Sequence, residues 1–115
     1  MAFEKFTQTG QRFKPKISIW GKGGLIGFNQ GAISRYNLNN FKYAILFFDR
    51  EKKRIGIRFT NDENEEGIIK FNTRKTGGVI PGKAFMDYYG IDYSKTKKYD
   101  VLFDKEIELY IVNLE

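Results

Sequence analysis

The 115-residue chain contains no cysteine and no histidine. Without cysteine there is neither a disulfide framework nor a thiolate nucleophile, which fits a reducing cytoplasm. Without histidine, the commonest general base and the commonest metal ligand are both missing. Sites built from cysteine and histidine are excluded, and any metal would need an all-oxygen cage. Long apolar runs are also lacking. A membrane span needs roughly 20 apolar residues, whereas the longest run, Tyr43 to Phe48, has the length of a strand. The N-terminus, MAFEKFTQTGQRFKPK, is charged and has no apolar stretch like that of a signal peptide. These absences predict a cytoplasmic protein with no membrane association.

Hydrophobic residues make up 41% of the chain and aromatics 17%. That is enough apolar surface to fold without metal or disulfide staples. The length predicts a single domain, residues 1–115. Its first segment, 1–15, reads as an N-terminal arm in which Phe3, Phe6 and Phe13 alternate with Lys5, Arg12 and Lys14.

Strand signals dominate the remainder. Lys16 to Trp20, Leu25 to Phe28, Tyr43 to Phe48, Arg54 to Thr60, Ile68 to Arg74, Tyr99 to Asp104 and Ile107 to Leu114 give about seven strands. Ile55, Ile57 and Phe59 alternate with Arg54, Gly56 and Arg58, the period of a strand with one buried face. Residues 29–40 are polar and asparagine-rich and read as a loop with one helical turn. Pro81 suits a first helical position. Ala84, Phe85, Tyr88 and Tyr89 then recur at helical spacing up to Gly90. Phe85 and one of Tyr88 or Tyr89 are expected to be buried. The predicted fold is mainly β (α+β): a small single-domain barrel with one short helix.

The chain also echoes itself. GAIS at 31–34 precedes YAILFFDREKKRIGIRF at 43–59, and GVIP at 78–81 precedes YDVLFDKEIELYIVNL at 99–114. Internal duplication is expected, with the two hairpins related by approximate twofold symmetry. The second copy resembles the AbrB/MazE/MraZ group of swapped-hairpin barrel proteins. The resemblance rests on Gly78, Ile80, Pro81, the helix around Ala84 to Tyr89, Asp100-Val101 and Asp104 at the turn. It implies interlocked halves and DNA binding through basic residues after Ile-Pro. This chain has Lys83 there, and Arg35 in the first copy, where the group usually has arginine.

Catalysis finds no support. GGVIPGK and WGKGGLIGFNQG both lack the Gly-x-x-x-x-Gly-Lys-Ser/Thr spacing that wraps phosphates, and Gly77 and Gly78 read as turn residues with positive φ. Ser18, Ser34 and Ser94 have no histidine to activate them. The carboxylates Asp104, Glu106 and Glu108 sit at an exposed turn. The expectation is a protein that is not an enzyme and needs no cofactor or metal.

Charge is the remaining signal. Residues 1–60 hold twelve Lys/Arg against three Asp/Glu, +9. Residues 61–115 hold eight against eleven, −3, and the two sum to the net +6. Basic residues interleaved with aromatics suit nucleic acid, because charge follows the backbone and rings stack on bases. One candidate set is Arg12, Lys14, Lys16, Trp20 and Lys22. A second is Lys52, Lys53, Arg54 and Arg58, and the resemblance adds Arg35 and Lys83. The competing roles are core packing for Trp20 and solubility for the lysines. A nucleic-acid-binding module is the leading reading, with an AbrB-like regulator as its sharper form. The alternative is a non-catalytic protein-interaction or structural module of a phage or mobile element. Gathered basic charge would favour the first, and scattered charge with an exposed apolar patch the second.

Overall fold

A computed structural model describes residues 2–4, 14–74 and 77–115. Among them ten strands form two five-stranded sheets. In chain order the elements are β1 (Lys16–Trp20), β2 (Leu25–Asn29), α1 (Gln30–Tyr36), a 3₁₀ turn (Leu38–Asn40), β3 (Tyr43–Asp49), β4 (Arg54–Thr60), β5 (Ile69–Lys70) and β6 (Asn72–Arg74). There follow β7 (Gly77–Pro81), α2 (Lys83–Tyr89), β8 (Lys97–Asp100), β9 (Leu102–Asp104) and β10 (Leu109–Asn113). Sheet I has the order β6-β7-β2-β1-β8 and sheet II the order β5-β3-β4-β10-β9.

Among the described residues no closed barrel forms, and the expected count of about seven strands is corrected to ten. Three differences account for the change. Gly77–Pro81 is a strand paired along β2, from Leu25↔Pro81 to Asn29↔Gly77, so Pro81 ends a strand and does not open a helix. The segments 68–74 and 97–104 each turn a corner and change sheets. Phe71 and Val101 stand at those corners, each only 4% exposed. The Phe71 N–H donates to the Lys42 carbonyl, which leaves its side chain to fill the core. Burying a large apolar group at each corner offsets the ladder bonds that the bends interrupt.

A further correction concerns residues 29–40. They form a two-turn helix and a 3₁₀ turn, because Asn29 is an N-cap whose Oδ1 accepts from the Ala32 N–H. The same oxygen accepts from the Lys16 N–H, and the Asn29 amide donates to the Lys14 carbonyl. One side chain thus ties the start of β1 to the start of α1. GAIS therefore lies in a helix and GVIP in a strand, and the two stretches are not structural equivalents. The element that matches β7 is β2. Both lead into seven-residue helices closed by a left-handed residue, Asn37 (φ 53°) after α1 and Gly90 (φ 66°) after α2.

The strand pairings are unchanged when β1-β2-α1-β3-β4 is exchanged for the chain from β5 to β10. β2 pairs with β7 and β4 with β10, while β1 pairs with β8 and its counterpart β5 pairs with β3. Both hairpins, 43–59 and 99–114, contribute to sheet II. Each helix also reaches a hairpin of the other half. Tyr36 of α1 meets Tyr110 edge-on at 4.8 Å, and Tyr89 of α2 meets Phe48 at 4.9 Å.

The core lies between the sheets. Ile17, Ile26, Ile55, Ile57 and Ile80 face it, each at most 1% exposed, with Phe28, Phe59 and Phe71 in mutual ring contact. The residue of α2 that is fully buried is Met86. Phe85 and Tyr89 are half-buried against Phe48, and Tyr88 is 76% exposed. Gly77 and Gly78 do not have positive φ. They are needed for close approach: a Cβ at Gly78 would lie 2.7 Å from the Phe71 ring, and one at Gly77 would lie 2.5 Å from the Phe28 carbonyl oxygen.

Candidate nucleic-acid interface

Strand residues alternate between faces, so the inward isoleucines fix what points outward. Across sheet I the registers place Lys98, Ser18, Gly27, Val79 and Asn72 in one transverse row. A second row holds Asp100, Lys16, Asn29, Gly77 and Arg74, and a third Trp20, Leu25 and Pro81. The centre of this face is small-residued. Trp20 lies along it: a Cβ on Gly27 would meet the far edge of the indole at 2.9 and 3.0 Å. Glycine at 27 is therefore a condition for the ring's position. The indole remains 36% exposed.

Three cations, Lys16, Lys98 and Arg74, project from these rows against one anion, Asp100, leaving +2. Lys98 and Arg74 stand on opposite edge strands, four strand spacings or about 19 Å apart. Lys16 Nζ donates to Asp100 at 2.5 Å, and Lys14 Nζ lies 3.8 Å from the same carboxylate. The Lys16 hydrogen bond, reinforced by the charge of Lys14, holds the Asp100 pKa below the usual carboxylate value. One carboxylate thus serves two ammonium groups and fully neutralises neither. Lys22 lies in the β1–β2 turn. Lys83 follows Pro81, with its Cα close to Gly24 of that turn, so both border the Trp20 end of the face.

Sheet II presents a different outer face. Ile45, Phe47, Leu109, Ile111 and Leu102 point outward around Gly56, where a Cβ would lie 2.9 Å from a Leu109 methyl. On this face Phe47, Leu109 and Ile111, with Ile107, border a recess of about 230 Å³. Its arginines are engaged. Arg54 donates through Nη2 to Asp49 Oδ2 at 2.9 Å, and Arg58 pairs with Glu65. Asp49 also accepts the Lys52 N–H, the largest of the effects that lower its pKa, ahead of the Arg54 bond.

The sequence candidates therefore divide. Lys14, Lys16, Trp20, Lys22 and Lys83 come together on or beside the outer face of sheet I. Lys52 and Lys53 occupy the β3–β4 turn of sheet II, and Arg54 and Arg58 lie in its ion pairs. Arg35 is exposed in the last turn of α1. Arg12 lies outside the described residues. Sequence reasoning missed Arg74 and Lys98, which sit in the acidic half of the chain. The alternation of Lys98 and Asp100 along a strand was the available signal. Among the described residues no group of three or more acidic residues is placed to hold a metal ion, and no helix is long and apolar enough to cross a membrane. Comparison with known proteins finds no family that matches the chain, no similar curated protein and no similar solved structure.

Proposed function

We propose that the protein is a non-catalytic nucleic-acid-binding module that engages its ligand with the outer face of sheet I. The observation that carries this reading is one face holding an exposed indole among Lys16, Lys98 and Arg74, with Asp100 as its single opposing charge. Cations on a surface attract phosphates by releasing condensed counterions, and an aromatic face adds stacking. Lys14, Lys22 and Lys83 extend the charge beyond the sheet. The AbrB-like relationship forms part of the proposal. Its support is the exchange symmetry of the strand pairings and the contact of each helix with the opposite hairpin.

Fluorescence anisotropy of labelled nucleic acid against rising salt tests this reading. Four to six phosphate contacts predict a log–log slope of about −3 to −5. No binding at micromolar protein in low salt would overturn it. A second reading, docking of a protein partner, is favoured by one observation: the exposed apolar side chains Phe47, Leu102 and Ile107 on sheet II.

A further inference from the structure

We infer that the outer face of sheet I takes a single strand, DNA or RNA, with one unpaired base stacked on Trp20. This rests on the nucleic-acid reading above and narrows it. A duplex hides the faces of its bases and is read through grooves by an inserted helix or ribbon. Both helices are only seven residues long and are held against the core, α1 through Ala32 and Ile33 and α2 through Met86. The face is instead a sheet with a low floor of Ser18, Gly27, Gly77 and Val79, on which a flexible strand can lie close to the backbone. Gly27 lets the indole lie along that floor, and its exposed part is available to a base. Lys98 on one edge and Arg74 on the far edge can hold phosphates several nucleotides apart along a strand that crosses the sheet. This division of labour, rings for bases and cations for the backbone, suits an unpaired strand of any sequence.

The chain has one tryptophan, so its emission reports on Trp20 alone. The full chain is titrated with labelled thymidine and uridine homo-oligonucleotides, an abasic deoxyribose-phosphate strand and a duplex of equal length. Anisotropy reports binding and indole emission reports stacking. The expected result is that both homo-oligonucleotides bind and quench the emission, while the abasic strand binds more weakly without quenching. The duplex is expected to bind more weakly than either homo-oligonucleotide. Binding of only one homo-oligonucleotide, with quenching, upholds the stacking and identifies DNA or RNA as the ligand. Trp20→Ala should weaken single-strand binding roughly 5- to 150-fold, the loss expected for one stacked base, and Trp20→Phe should restore much of it. Melting curves of both variants confirm that they are folded. Binding with unchanged emission, or a preference for duplex, overturns the single-strand inference and leaves the broader reading standing. No anisotropy change with any strand overturns both.

Discussion

The outer faces of the two sheets share a construction and differ in chemistry. Each sets a large side chain against a glycine on the neighbouring strand: Trp20 over Gly27 in sheet I, Leu109 over Gly56 in sheet II. Around Trp20 the cations outnumber the acids, and one carboxylate is shared by two lysines. Around Leu109 each arginine has its own acid, Asp49 for Arg54 and Glu65 for Arg58. Both arginines fall in the +9 half of the chain. A positive stretch of sequence does not therefore mark a positive binding face. What counts is which cations the fold leaves without an acid of their own.

The inner faces give the baseline for that contrast, because there the sheets should behave alike. Ile17 in sheet I and Ile57 in sheet II are both fully buried. Ile17→Ala and Ile57→Ala should each lower stability by about 2–5 kcal/mol in denaturant unfolding. A negligible loss for one of them would mean that the core is not shared evenly by the two sheets.

On the outer faces the effects should part. Trp20→Ala should reduce nucleic-acid affinity by about 1–3 kcal/mol, and Phe47→Ala should leave it unchanged. Equal losses would erase the distinction. Replacing Lys16, Lys98 and Arg74 together by alanine should flatten the salt slope by about 2, at roughly 0.7 for each contact to a single strand. The parallel change of Lys52, Lys53 and Arg54 should alter it less, because Arg54 is already paired with Asp49.

Asp100 sharpens the comparison with a smaller effect. Asp100→Asn frees Lys14 and Lys16 for phosphate and should tighten binding about two- to fivefold in the same titration. Its pKa is lowered in the folded protein, chiefly by Lys16. The stabilisation it gives is therefore fully present above the unfolded carboxylate value, about 3.9, and is lost as pH falls through the lower folded value. With Asp100 ionised throughout and no histidine in the chain, affinity should vary little between pH 5 and 8. A marked pH dependence in that range would mean that another group controls the lysines.

Much of this architecture is legible in the sequence. Alternation in 54–60 and the apolar run 43–48 give the β3–β4 hairpin, because a strand with a buried inner face must carry that pattern. Phe85, Tyr89 and Gly90 place the second helix and its end. The first helix is hidden because its cue is a single residue, Asn29, in a polar stretch that resembles a loop. Its apolar anchors, Ala32, Ile33 and Leu38, are few. The sheet-changing corners are hidden as well. Phe71 and Val101 continue the strand pattern locally, and only the pairing partners show where the chain bends. On the candidate face, Lys16 and Trp20 are legible as neighbours on one strand. Lys98 reaches the same surface only through the pairing Ser18↔Lys98, and Arg74 only through Gly77, which pairs with Asn29; no local pattern encodes such distant pairings.

The most direct measurement is a map of backbone amide resonances in the full chain as an unlabelled thymidine oligonucleotide is added. The account predicts that Ser18, Gly27, Gly77, Val79 and Lys98, together with the Trp20 indole N–H, shift progressively to saturation. Ile45, Gly56, Arg58 and Ile111 on the outer face of sheet II should stay in place. Shifts confined to the sheet II residues, or spread equally over both faces, would contradict the assignment of the binding surface to sheet I.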